Sequence, residues 1–206
     1  MGVRELPMFP LGMVVFPHQV VGLCVFESRY QQMLRDIEGE PIFGTCLISR
    51  GSEVGGGDER TWIGTVVRVI ASQTLDDGKT VMMVEGTERV EVTTWLDDAP
   101  YPRARVSASE ADGDAVDSQL LRSTESAVRA LRALQSEVLA DQCLRSNCDM
   151  DADPQVRTWQ LCSMTPMPVL DQFTVLSLAR TNERLRMVGE ICCERYGDYQ
   201  RLLAMG

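Results

Sequence analysis

The 206-residue sequence predicts an α+β chain, with a bent, mostly antiparallel β-sheet or partial barrel carrying one helix over residues 1–108 and an α-helical bundle over residues 109–206. Three observations lead there. Short β-branched runs separated by turn residues fill the first half. Apolar residues recur at three- and four-residue spacing through the second. Between them, just after Ala108, lies SEADGDAVDS, a polar, acidic and glycine-bearing stretch that reads as the junction.

The opening stretch LPMFPLGMVVFPHQVVGLCVFESRY, Leu6 to Tyr30, is apolar enough to compare with a secretory signal. Pro7, Pro10 and Pro17 each remove a backbone donor and fix φ, so no continuous helix runs through it, and no A-x-A cleavage site follows. The runs at Val20–Phe26, Ile42–Ser49, Trp62–Ala71, Thr80–Gly86, Arg89–Trp95 and Arg103–Ala108 read as strands. Asp76-Asp77-Gly78 joins two of them as a hairpin turn, and Gly86-Thr87 marks a second reversal or a bulge. One helix interrupts the sheet: ESRYQQMLRDIEG places Tyr30, Met33, Leu34 and Ile37 on one face, and Gly39 ends it.

In the second half, Leu120, Thr124, Val128, Leu131, Leu134 and Val138 form a stripe on a long helix that begins near Asp114. Asp153 followed by Pro154 is an N-cap with proline at the first helical position, which predicts a helix over Pro154–Ser163. TPMPVL breaks it. A third helix is expected over Asp171–Ala179 and a last one over Thr181–Leu203, lined by Leu185, Val188, Cys192, Tyr199 and Leu203.

Composition narrows the function. A formal net charge of −10 argues against nucleic acid, whose phosphates need clustered Lys and Arg. No apolar run reaches the roughly 18 residues of a membrane span, and the expectation is a soluble, cytoplasmic chain. Seven cysteines, an odd count with no secretion signal, fit reduced thiols. Only Cys143 and Cys148 approach zinc-ligand spacing and the chain has one histidine, so no metal is expected.

Catalytic constellations fail in turn. Gly78-Lys79-Thr80 lacks the first glycine of a phosphate loop, Gln73 standing in its place, and sits on a hairpin. Lys79, the single lysine, has no desolvated setting to serve as base for a serine, and His18 is the one partner for a cysteine nucleophile. Asp149, Asp151 and Asp153 imitate the start of a calcium loop, but Pro154 replaces the turn glycine and Gln160 the bidentate Glu. SEVGGGDER, Ser52 to Arg60, carries too many acids to cradle phosphate and reads as a mobile hairpin loop beside a groove, while Glu27 and Arg29 read as helix-start and salt-bridge residues. No enzyme and no cofactor are expected.

Several segments, taken together, resemble the N-terminal substrate-binding domain of the Lon (La) ATP-dependent protease family. They are Leu6-Pro7-Met8-Phe9-Pro10-Leu11, Val15-Phe16-Pro17 and Phe26-Glu27-Ser28-Arg29-Tyr30, then FGTCLI, GSEVGGG, IGTVVRV, DDGKT, EGTERVEV and DDAPYP in order, and more weakly MPVLDQFTVLSLARTNERL. Cys24 and Ser28 depart from the family's usual His and Pro. Full Lon proteases continue into ATPase and peptidase modules that are not seen before Gly206, so the resemblance is to single-domain members.

The resemblance implies a non-catalytic module that recognises exposed apolar segments of unfolded or partner polypeptides. The candidate contact residues are Met13, Phe16, Met33, Met164 and Met167, because flexible thioethers repack against varied partners and most of these lie on proline-interrupted backbone. The surface is expected at a junction of the opening segment, the helix after Phe26 and SMTPMPVL. Strand edges of the first half offer a second way to hold an extended peptide. The alternative is a structural or regulatory subunit that docks one dedicated protease or chaperone, or a second copy of itself.

Overall fold

The structure is a computed structural model and describes residues 2–108, 115–138 and 149–205. Met1–Ser109 and Glu110–Gly206 each form a compact unit. Most of the acidic stretch expected as the junction, together with Cys143 and Cys148, lies outside the described residues.

The first unit runs β1 (Arg4–Leu11), β2 (Val20–Val25), α1 (Ser28–Asp36), β3 (Ile42–Arg50), β4 (Glu59–Thr74), β5 (Thr80–Trp95) and β6 (Arg103–Ala108). The sheet order is β2-β5-β4-β3-β1-β6, and β6 also pairs β5, so five strands close into a ring. The partial barrel expected from the sequence is thus closed, with β2 outside the ring on β5. All pairings are antiparallel except β1 with β3, which run parallel from Met8 opposite Gly44 to Leu11 opposite Leu47.

β1 explains how a strand tolerates Pro7 and Pro10. Its first half, Arg4–Pro7, pairs with β6, and its second, Met8–Leu11, pairs with β3. Each half therefore has a ladder on one side only, which is the setting where a missing N–H does no harm. β5 runs unbroken through Gly86 and Thr87. The register steps from Val66 opposite Glu88 to Val67 opposite Gly86, which leaves Thr87 as the extra residue of a bulge rather than the turn of a second reversal.

Alternation gives the sheet a core on each face, since neighbours such as Met8 and Phe9, or Val66 and Val67, fall in different clusters. Phe9, Leu23, Val25, Phe43, Val67 and Val84 meet Tyr30 and Met33 of α1 and Ile37 just past its end in one cluster, and Leu6, Met8, Val66, Val90, Ala104 and Val106 form a second. Covering each such side chain contributes about 1.5–3 kcal/mol. α1 stops at Asp36, short of Gly39, because the Ile37 and Glu38 N–H groups close the last turn on Met33 and Arg35.

The second unit holds α2 (Ser118–Val138), α3 (Pro154–Met164), α4 (Val169–Ser177) and α5 (Thr181–Met205). α2 starts at Ser118 because the Asp117 carboxylate accepts from the Gln119 and Leu120 N–H groups at 2.9 and 3.0 Å, and those bonds hold its carboxyl below the usual range. Asp153 caps α3 as expected, accepting from Gln155 N–H at 2.7 Å. α2 and α5 pack along each other through Leu121, Val128, Leu131, Leu185 and Val188, and α3 packs against both. α4 begins two residues before its expected start, directly after Pro168, and its end is fixed by Arg184. That guanidinium donates to the Leu178 and Ala179 carbonyls at 3.0 and 3.3 Å and lies 4.1 Å over the Trp159 ring. Among the described residues no helix is long and apolar enough to cross a membrane.

Candidate functional site

The strand plan of the first unit leaves a pocket. From Met8 onward β1 turns to β3, while β2 pairs only with β5, so these two strands do not pair with each other. A cavity of about 300 Å³ is lined by Phe9 and Leu11 of β1, by Gly22–Val25 of β2 and by Phe26, with Met13, Glu27, Tyr30, Glu53 and Val54 completing it. Its size falls at the low end of ligand sites, which run to about 300–1,000 Å³.

Tyr30 and Phe9 give the cavity an aromatic wall, their rings 4.3 Å apart. Burial pushes the Tyr30 hydroxyl well above its ordinary range, the nearby Arg29 opposing, so the ring presents no charge. The rim is apolar as well: Met13 is 37% exposed, Phe26 52% and Val54 53%. Three large apolar side chains thus stand open to water around a concave floor.

The glycine-rich segment after β3 supplies part of that rim. Gly55, Gly56 and Gly57 all take left-handed backbone, φ 97°, 80° and 75°, a run that side chains with a Cβ resist. The loop read as a mobile hairpin makes three hydrogen bonds at the pocket. Glu27 accepts from the Gly55 N–H at 3.3 Å, Arg29 donates to the Glu53 carbonyl at 3.5 Å, and the Glu53 carboxylate accepts from the Gly12 N–H. Arg29 itself sits 3.2 Å from the Glu27 carboxylate and 4.5 Å over the Tyr30 ring. Glu27 and Arg29 are therefore a helix-start pair, as expected, and also the tether of the loop.

The groups weighed for chemistry from the sequence are otherwise engaged where the structure describes them. Lys79 pairs with Asp77 at 2.8 Å in the β4–β5 hairpin, and the hydrogen bond and charge of that carboxylate raise its amine, the opposite of what a general base needs. Burial pushes the Cys46 thiol up to about 12 and the Cys192 thiol to about 11, away from thiolate chemistry. Asp151 accepts from the Asp153 N–H at 2.8 Å and Asp153 caps α3, so both carboxylates serve the backbone.

The five candidate contact residues separate by burial. Met13 lies on the pocket rim. Phe16 is 2% exposed, Met33 0% and Met167 8%, so these three are core side chains of their own units. Met164, half-buried at the end of α3, has its carbonyl taken by Arg132 at 2.8 Å. Irregular backbone misleads at Phe16. The Phe16–Gln19 turn, closed by Gln19 N–H to the Phe16 carbonyl at 3.2 Å, is pressed inward, where Thr65 donates to the Val15 carbonyl at 2.6 Å. Phe26 and Val54 were not among the candidates. Val54 was legible by the same criterion that selects Met13, an apolar residue in a polar, aperiodic stretch.

The chain matches the family described as ATP-dependent protease La (LON) substrate-binding domain over residues 5–194. Lon protease 2 of Herpetosiphon aurantiacus is 24% identical over 91% of the chain and 23% of its own length. The chain spans less than a quarter of the length of the curated relatives it matches. Among solved structures, a Lon N-terminal domain protein from Xanthomonas campestris superposes with a TM-score of 0.63 at 26% identity, covering 90% of this chain and 96% of that one. The N-terminal domain of Mycobacterium avium complex Lon protease reaches 0.65 at 14% identity, over 92% and 98% of the two chains, and shares the fold. The matched region is the substrate-binding part of such proteases and not the peptidase.

Proposed function

The chain belongs to the ATP-dependent protease La (LON) substrate-binding domain family, and on that premise we propose that it binds polypeptides through their exposed apolar segments, in the cytoplasm, and performs no chemistry of its own. The observation that carries this reading is the cavity between β1 and β2, with its Phe9, Leu11 and Tyr30 wall and its exposed Met13, Phe26 and Val54 rim. A client side chain that covers such a rim removes apolar area from water at about 25 cal/mol per Å². Ordering the client opposes that gain, so binding is modest and tolerant of sequence. Methionine at the rim adds adaptability, since its thioether adopts many shapes at little cost.

The test is fluorescence anisotropy with a labelled, permanently unfolded polypeptide and the double variant Phe26→Ser/Val54→Ser. Affinity is expected to fall at least tenfold while the circular dichroism spectrum and thermal midpoint stay unchanged. Unaltered affinity in the folded double variant would remove the pocket as the binding site.

A further inference from the structure

Among the described residues, β2 is the one strand of the sheet that pairs with a single neighbour, β5. We infer that its free side is a docking edge: a client segment binds extended, as an added strand along β2, with alternate apolar side chains in the cavity and an Arg or Lys beside Glu53. The inference rests on the polypeptide-binding reading and states the conformation and the charge of the client.

Three observations carry it. In the antiparallel ladder with β5, alternate β2 residues turn their N–H and C=O groups away from the partner, toward the unpaired side. Proteins ordinarily blunt such an edge with proline, lysine or another charge, and Val20–Val25 carries none of these. The cavity, in addition, is lined by five successive residues, Gly22, Leu23, Cys24, Val25 and Phe26. Successive strand side chains point to opposite faces, and because Leu23, Cys24 and Val25 of β2 all border this cavity together with Phe9 and Leu11 of β1, it lies beside the strand, on the side away from β5.

The occupant is set by what surrounds that space. Leu23 and Val25 face inward and Val20, Gly22 and Cys24 outward, so an added strand would place every second side chain against Phe9, Leu11 and Tyr30. Charge selects the sign of its end. Glu27 and Glu53 stand at the cavity, and the neighbouring cation, Arg29, is engaged by Glu27 and the Tyr30 ring. Glu53 is exposed and forms no ion pair among the described residues. An acidic segment is repelled there and a basic one attracted.

The experiment uses the full chain and four labelled ten-residue peptides: one alternating Leu and Thr and ending in Arg, the same peptide ending in Glu, and two versions N-methylated at either the odd or the even residues. Strand addition predicts that one methylated set loses at least tenfold in affinity and the other little, since one set of N–H groups faces β2. The Glu-ended peptide binds several-fold more weakly at low salt, and amide exchange slows at alternate residues of Val20–Val25. Equal binding of both methylated peptides overturns strand addition, as does failure of the parent peptide while the unfolded polypeptide still binds in a Phe26- and Val54-dependent way; both results leave the polypeptide-binding reading standing. Failure of the unfolded polypeptide as well would overturn that reading too. A dimer that protects the same amides and that peptide does not dissociate assigns the edge to a second copy of the chain and overturns the client.

Discussion

Gly86 turns its bare α-carbon toward the carbonyl oxygen of Phe16, and a Cβ at that position would lie 2.2 Å from the oxygen. Two hydrogen bonds of 2.8 Å hold the approach: His18 N–H donates to the Gly86 carbonyl, and Gly86 N–H donates to the Gln19 carbonyl. The proline-flanked turn that follows Phe16 is thereby fastened to the middle of β5, at the bulge where the register steps.

Gly86→Ala must therefore push backbone against backbone, with no flexible side chain to give way. A loss of about 1–3 kcal/mol is expected, the usual cost of overpacking, read as a lower urea midpoint. Gly39→Ala is the control, since nothing lies within 4 Å of a Cβ there, and it should leave the midpoint unchanged.

Arg184 joins three pieces of the second unit: its own helix, the end of α4 through the Leu178 and Ala179 carbonyls, and the Trp159 ring of α3. Replacing it by Met keeps the apolar stem but removes the charged donor to the carbonyls of half-buried Leu178 and exposed Ala179, and the cation over Trp159. The expected loss is about 1–3 kcal/mol, with Arg184→Lys falling between Met and the natural residue because an ammonium cannot reproduce the planar fork. Equal stability of all three proteins in urea would show that the guanidinium is not what holds α4.

How legible this was depends on how local each cause is. The runs expected at Thr80–Gly86 and Arg89–Trp95 are one strand, whereas the Asp153-Pro154 helix start and the Asp76-Asp77-Gly78 hairpin rest on neighbours in sequence and fall where the sequence places them. The closure of the ring does not, because it depends on β1 exchanging β6 for β3 halfway along, which no periodicity records. Gly86 was ambiguous for the same reason: its need for a bare α-carbon comes from Phe16, seventy residues earlier. In the site, Met33 carried its own warning, standing on the apolar stripe of α1 with Tyr30 and Ile37. Phe26 carried none, because one exposed aromatic at a strand end looks in sequence like one more core residue.

The methionines can be ranked by the same logic. Met33→Ser opens a void inside the cluster around Tyr30 and Val25 and should cost about 2–5 kcal/mol, as should Met167→Ser at a lower point of that range. Met13→Ser, at the pocket rim, should stay within about 0.5 kcal/mol yet weaken binding of an unfolded polypeptide. Chemical unfolding of the three single variants measures the ranking directly. A large loss at Met13 would place it in the core and take it off the rim.

The last prediction concerns acid. The Asp58 side chain, almost wholly covered, lies 2.7 Å from Arg60, which also meets Asp98 and stacks 5.1 Å from Trp95 at the root of the glycine-rich loop. Burial works against the Asp58 charge, but hydrogen bonds and the charge of Arg60 outweigh it and hold the carboxyl below its ordinary value of 3.8. A carboxyl whose pKa is lower in the folded than in the unfolded state contributes stability that is complete above the unfolded value and lost as pH falls through the folded one. Asp58→Asn should accordingly lower stability by about 1–3 kcal/mol at neutral pH and flatten the decline as pH falls below the ordinary carboxyl value of 3.8. Urea midpoints of both proteins across that range decide it: parallel acid limbs would mean that other carboxylates carry the acid sensitivity and that Asp58 anchors the loop by shape alone.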